Sequence, residues 1–181
     1  MSLISSAIRN RRCIAWQRET LSDLKPALGL FVVVEIRQWE PADNDAVIAG
    51  FMKTYGGAPW FDSWTPETAE QYLLEFQGMP RSATLVAVAD GELAAATFFH
   101  ARTWQESSEI YIDEFFVFPK FQGKGVGAAL LAAVRVFATE NGVASLALLT
   151  DRDKPAFEFY ERNGLTAGRN QVFMFGSADP S

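Results

Sequence analysis

Cysteine is nearly absent from this sequence: Cys13 is the only one in 181 residues. An intrachain disulfide and a cysteine zinc cluster are thereby excluded. Histidine is equally scarce. His100 stands alone, so a multi-histidine metal site is excluded, no metal is expected, and a single imidazole remains as a candidate base. No apolar run reaches the ~18–20 residues that cross a bilayer; the run at residues 28–34 is too short, and no membrane partner is expected. Basic excess is missing too. Sixteen Lys+Arg against 22 Asp+Glu give a formal net charge of −6, which argues against nucleic-acid binding and suits a cationic small molecule. No internal repeat, low-complexity segment or G-x-x-x-x-G-K-[ST] string is found.

What is present is average globular composition, 49% hydrophobic and 21% charged, in a length that suits one domain. Residues 1–30 differ from the rest. Arg9, Arg11, Arg12 and Arg18 precede the first acid, Glu19, among Ser2, Ser5 and Ser6. That start has the look of a transit peptide, but an ordinary extension, or a start upstream of the true one, is the preferred reading. A single domain is expected over residues 31–176, with 177–181 as a tail and the cytoplasm as its location.

Hydrophobic periodicity predicts the elements. Residues 31–39 are β-branched and aromatic, hence a strand. Val47, Phe51 and Tyr55 fall at helical spacing, ended by Gly56 and Gly57. Thr65 is an N-cap with Pro66 behind it, and Ala69, Tyr72, Leu73 and Phe76 line one face of a second helix. Asp90-Gly91 is a hairpin signal between strands at 84–89 and 93–101, and 109–118 is a third strand of the same meander. From Val126 the period is helical through Ala129, Leu130, Ala133, Val134 and Phe137. A strand at 144–150, a helix at 154–162 and a last strand at 171–175 complete the order β-α-α-β-β-β-α-β-α-β. The fold class is α/β with a mixed sheet, antiparallel early and with a parallel crossover late.

The stretch from Phe118 to Ala128 carries the chemistry. Gly123, Gly125 and Gly127 sit between a strand and an amphipathic helix. Glycines there let backbone N–H groups converge, and the helix start adds unpaired N–H groups, a nest for phosphate or pyrophosphate. Lys124 adds charge at its rim. Gly123, Gly125 and Ala128 also satisfy G-x-G-x-x-A, with an acid, Asp151, after the next strand. As a dinucleotide fingerprint the fit is poor: Pro119 to Gln122 intervene after the strand, Asp151 lies beyond the ~20 residues expected, and a meander precedes the motif.

Gln122-Gly-Lys-Gly125-Val-Gly127 resembles the Q/R-x-x-G-x-G/A pyrophosphate loop of the GNAT N-acetyltransferase superfamily, with Val117-Phe-Pro119 in place of its V-x-P. Downstream, the stretch from Asp153 through Ala156, Tyr160 and Gly164 to Leu165 resembles its N-x-x-A-x-x-x-Y-x-x-x-G-F block, Asp153 standing for Asn and Leu165 for Phe. The resemblance implies a central, mostly antiparallel sheet of six to seven strands with helices on both faces. It implies acetyl-CoA, or another acyl-CoA, as cosubstrate and direct transfer to an amine of a small molecule or peptide. Phe115 and Val117 would bond the pantetheine arm through their main chains. Gln122, Gly123, Lys124, Gly125, Val126, Gly127 and Ala128 would hold the pyrophosphate, and Asp153 would belong to the cofactor site. Tyr160 matches the tyrosine that donates to the CoA sulfur.

The base is sought on the strand before the loop. Asp113 and Glu114 interrupt an apolar run, and adjacent strand residues point to opposite faces, so one of them can face the cleft. Glu114 is preferred, then Asp113, with His100 behind them and Cys13 outside the domain. Tyr55, Trp60 and Trp64, with Asp62 between, form an expected acceptor wall that binds a cation by ring faces and charge. Candidate acceptors are an aminoglycoside-like antibiotic, a polyamine, an amino acid or a protein N-terminus. The family leaves a homodimer open. The alternative reading is a non-catalytic acyl-CoA-binding or sensory module on the same fold; a nicotinamide-dinucleotide protein is a third.

Overall fold

The structure, a computed structural model, describes residues 33–104 and 107–178. Residues 1–30, Cys13 and the start of the expected first strand lie outside them. Five strands form one sheet in the order β1-β2-β3-β4-β5: β1 Val34–Gln38, β2 Ser82–Ala89, β3 Glu92–Trp104, β4 Ser107–Val117 and β5 Ser145–Leu148. The first four run antiparallel and β5 lies parallel to β4. Helices α1 (Asn44–Tyr55) and α2 (Pro66–Gln77) pack on one face. Helices α3 (Val126–Glu140) and α4 (Pro155–Arg162) lie on the other side. No helix among the described residues is long and apolar enough to cross a membrane.

Local chemistry explains the boundaries. Ahead of α1, Asp43 accepts from both terminal Arg37 nitrogens at 2.6 and 2.8 Å and from the Glu40 amide, which ties β1 to the helix start. The Thr65 hydroxyl accepts from the Thr68 amide at 3.2 Å, and Pro66 opens α2. Asp90 and Gly91 both adopt positive φ, the primed turn of a two-residue hairpin between β2 and β3. Two apolar layers result. Phe51, Leu73, Val86, Phe98 and Phe116 fill the layer under α1 and α2. Leu85, Phe99, Ile110, Ile112, Leu130 and Val134 fill the one under α3.

Two expectations need correction. The strand expected at 171–175 does not form, so the sheet has five strands among the described residues rather than six or seven. Val172, Phe173, Met174 and Phe175 are 79, 68, 84 and 92% exposed. Strand propensity without a paired neighbour does not make a strand.

The second correction concerns β4. Its pairing with β3 slips by one residue: Phe98 opposes Glu114 but Phe99 opposes Ile112, leaving Asp113 as the extra residue of a bulge. The consequence is visible in the side chains. Ile110 and Ile112 point to the α3 layer, and so do Phe115 and Val117, three and five residues past Ile112 rather than two and four. Asp113 and Glu114 therefore share the α1/α2 face, where strict alternation placed them on opposite faces. The buried Thr97 hydroxyl donates to the Glu114 carbonyl at 2.9 Å and steadies the kink.

Candidate active site

The parallel pairing of β5 with β4 covers only Glu109–Ile112 and Ser145–Leu148. From the bulge onward β4 continues to Val117 with no strand on that side among the described residues. A wedge opens between the end of β4 and α4. It holds a cleft of about 540 Å³, lined by Phe115, Phe116 and Val117 of β4, by the glycine loop, by Ala156, Phe159 and Tyr160 of α4, by Tyr55 at the end of α1 and by Pro59 and Trp60 after it. An open strand edge offers spaced N–H and C=O groups to an extended, amide-bearing ligand.

The floor of the cleft is the glycine loop. Gly123 and Gly125 have φ of +71° and +82°, with space around both Cβ positions, so glycine serves the backbone angle there. Gly127 differs. Its φ is ordinary, but a Cβ would lie 3.2 Å from Val117 and 3.3 Å from the Phe159 ring, so glycine lets the first turn of α3 press against β4 and α4. Among the described residues the first amide of α3 to meet a carbonyl is Ala129, bonded to Gly125 at 3.0 Å. The amides of Val126, Gly127 and Ala128 remain directed out of the helix start, where its dipole is positive. Val126 contributes only its backbone, since its side chain is fully buried. Lys124 is exposed at the rim. Gln122 lines the cleft while its side-chain amide donates to the Val117 carbonyl at 2.9 Å, bracing the loop against the strand end. This cradle fits a pyrophosphate, and the open edge beside it fits a pantetheine arm.

Both carboxylates of the bulge are engaged. His100 Nδ1 lies 2.7 Å from Asp113 Oδ2, so the two minor base candidates form one pair. Glu114 is held by two phenols. The Tyr55 hydroxyl of α1 donates to Oε2 at 2.8 Å, and the Tyr72 hydroxyl of α2 donates to Oε1 at 2.6 Å. Burial pushes the Glu114 carboxyl above its ordinary range, the two phenol bonds pull it back, and Asp113 and Asp62 add to the rise. Burial likewise raises Asp113, against the pull of His100. Tyr160 is buried and raised by desolvation first and then by Glu114. Its ring packs against Phe115 and Phe159, and its hydroxyl takes no hydrogen bond among the described residues.

The remaining candidates separate. Trp60 lines the cleft, edge-on to Tyr55 at 5.5 Å. Lys154, the residue before α4, covers the Trp60 ring at 5.4 Å and donates to the Pro59 carbonyl at 3.1 Å, joining the two walls. Trp64 instead packs on Tyr72 and Phe51, with its indole N–H 3.4 Å from Asp62. Asp153 is exposed and is not among the lining residues. Sequence reasoning assigned Tyr72 only to the apolar face of α2 and passed over Lys154. Helical spacing marks Tyr72 as inward-facing, but nothing in that spacing says its hydroxyl meets Glu114.

Comparison with known proteins follows the same lines. The family model described as "Acetyltransferase (GNAT) family" matches residues 36–165. Streptothricin acetyltransferase of Streptomyces lavendulae is 36% identical over 100 residues, 54% of this chain and 52% of that protein. The match thus spans about half the length of that curated relative. Among solved structures, an aminoglycoside N-acetyltransferase in complex with CoA is similar with a TM-score of 0.66 at 18% identity, over 84% of this chain and 100% of that one. An aminoglycoside acetyltransferase from an uncultured soil metagenomic sample, in complex with sisomicin, has a TM-score of 0.63 at 19% identity, over 81% and 97%. At these identities the two solved structures speak for the fold.

Proposed function

The chain belongs to the acetyltransferase (GNAT) family, and from that premise we propose that it moves an acetyl group from acetyl-CoA directly to a primary amine of a cationic small molecule. One observation carries the reading: the unpaired end of β4 meets the free amides of the α3 start in a single cleft, with Tyr160 on one wall and the Tyr55–Glu114 pair on the other. Gly123 to Ala128 hold the pyrophosphate by backbone N–H groups, and the edges of Phe115 and Val117 take the pantetheine amides. Asp153 sits away from this cradle, so a part for it in cofactor binding rests on the resemblance alone. Acetyl-CoA supplies the activated thioester carbonyl.

The chain's own groups then manage protons. An ammonium must lose one before it can attack, and Glu114, with affinity for a proton raised by burial, receives it. The departing thiolate needs the opposite help, and the Tyr160 hydroxyl, not engaged by any other described residue, donates to it. Asp62, Asp113 and Glu114 make the acceptor side acidic, and Trp60 adds a ring face, which together favour an acceptor with several positive charges. Trp64 supports this wall from behind Tyr72. The names of the relatives point the same way, to streptothricin and aminoglycoside acceptors.

The test is free-thiol release from acetyl-CoA over a panel of streptothricin, aminoglycosides, linear polyamines, amino acids and N-terminal peptides. Turnover is expected with a polycationic antibiotic and weak or absent with neutral peptides. CoA binding without thiol release on any amine would mark a non-catalytic acyl-CoA module instead.

A further inference from the structure

We infer that the Tyr55 hydroxyl carries the proton from the acceptor amine to Glu114, while Tyr72 holds the receiving carboxylate in place. The inference rests on the proposed transfer to an amine and adds the route the proton takes. Of the trio Tyr55, Tyr72 and Glu114, only Tyr55 lines the cleft. Glu114 stands behind it, with Oε2 2.8 Å from the Tyr55 hydroxyl and Oε1 2.6 Å from that of Tyr72. An amine in the cleft between Trp60 and Tyr160 therefore meets a phenol oxygen before it meets a carboxylate.

The geometry suits a relay. The Tyr55 hydroxyl spends its single proton on Glu114, so its lone pairs are left to accept from an ammonium N–H. In the step, an N–H bond of the ammonium breaks and an O–H bond forms at Tyr55. The original Tyr55 O–H breaks and an O–H forms at Glu114 Oε2. The nitrogen keeps its electron pair for attack, and the phenol ends neutral. Two hops in concert are required, because burial and the neighbouring Glu114 hold the Tyr55 phenol far from ionisation. Tyr72 does not touch the amine. Its bond to Oε1 keeps Glu114 oriented toward Tyr55, and α2 brings it there while Trp64 and Phe76 fix its ring.

Other titratable groups surround the pair. Asp62 faces it from the turn after α1, Asp113 from β4 with His100 of β3 attached, Tyr160 from α4, and Glu75 stands near Tyr72 on α2. None of them is hydrogen-bonded to Glu114, which leaves the two phenols as its direct partners.

The experiment compares pH profiles of kcat/KM for wild type, Tyr55→Phe, Tyr72→Phe and Glu114→Gln, with CoA affinity from calorimetry. Tyr55→Phe is expected to lower kcat at least tenfold with CoA Kd within twofold. Tyr72→Phe is expected to move the acid limb to higher pH, because an ionised carboxylate loses a donor, which a merely structural role for Tyr72 would not do. A proton inventory on wild type with a poor amine, where chemistry limits turnover, is expected to curve, as two protons in flight require. That measurement holds even if Tyr55→Phe fails to fold. A linear inventory, or a Tyr55→Phe enzyme within twofold of wild type while Glu114→Gln is inactive, overturns the relay and leaves acetyl transfer standing. If wild type acetylates no amine, the fault lies with the proposed function instead.

Discussion

Tyr160 is buried in α4 among Phe115 and Phe159, yet its hydroxyl has no hydrogen-bonding partner among the described residues. The residue lines the cleft, which leaves that hydroxyl able to donate to a group that enters there. Tyr160→Phe removes no hydrogen bond among the described residues. It is expected to leave the melting temperature and the CoA Kd unchanged and to lower kcat at least tenfold, the usual reach of a general acid. Steady-state kinetics beside calorimetry would check this, and a kcat within twofold of wild type would make Tyr160 a packing residue. At this scale the sequence was informative where chemistry and pattern disagree. Glu114 stood out because a carboxylate interrupts an apolar strand. Tyr72 did not, because a tyrosine on the inner face of a helix looks like ordinary core.

Most elements were legible from period and punctuation. Thr65-Pro66 opens α2, Asp90-Gly91 turns the hairpin, and the change of period at Val126 marks α3. The bulge was not, since an inserted residue leaves no mark in composition; only the pairing with Phe98 and Phe99 shows it. Nor could spacing tell one glycine of the loop from another. Gly125 serves its left-handed backbone angle, whereas Gly127 serves the closeness of α3 to β4 and α4. The two should fail differently. Gly125→Ala is expected to cost about 1 kcal/mol for its backbone, lowering the melting temperature by about 2–4 °C, and to weaken CoA binding by distorting the nest. Gly127→Val is expected to destabilise more, by forcing Val117 and Phe159 aside. Thermal melts paired with CoA titrations distinguish them, and equal melting temperatures for the two variants would refute the distinction.

Across the whole molecule, carboxylates with opposite shifts share the stability. Asp43 is held below its ordinary range, chiefly by its bond to Arg37. Its contribution is present above the unfolded value of ~3.9 and fades as pH falls through the lower folded one. Glu114 is shifted up by burial. The contribution linked to its titration is full below the unfolded value of ~4.3 and is lost as pH rises through the higher folded one. Burial thus works against ionising Glu114 in the folded chain, and that penalty grows as pH rises above the unfolded value. Glu114→Gln is expected to melt at or above the wild-type temperature at pH 7.5, and the gap is expected to close at about pH 3, more than a unit below the unfolded value of ~4.3, where both states of the wild type are protonated. Calorimetry at the two pH values would check it; a variant that melts several degrees lower at both would show that the phenol-bound carboxylate is a net structural asset.

Among the described residues the sheet ends at β5, a strand of four residues paired only with β4, and the exposed apolar run from Val172 to Phe175 begins beside it. A bare strand edge and a sticky segment on one molecule are complementary to their counterparts on another. Encounters between two such molecules grow with the square of concentration, and the net charge of −6 holds them apart only while salt is low. A dilute solution of low ionic strength is therefore expected to disfavour association, and concentration in a salty buffer to favour it.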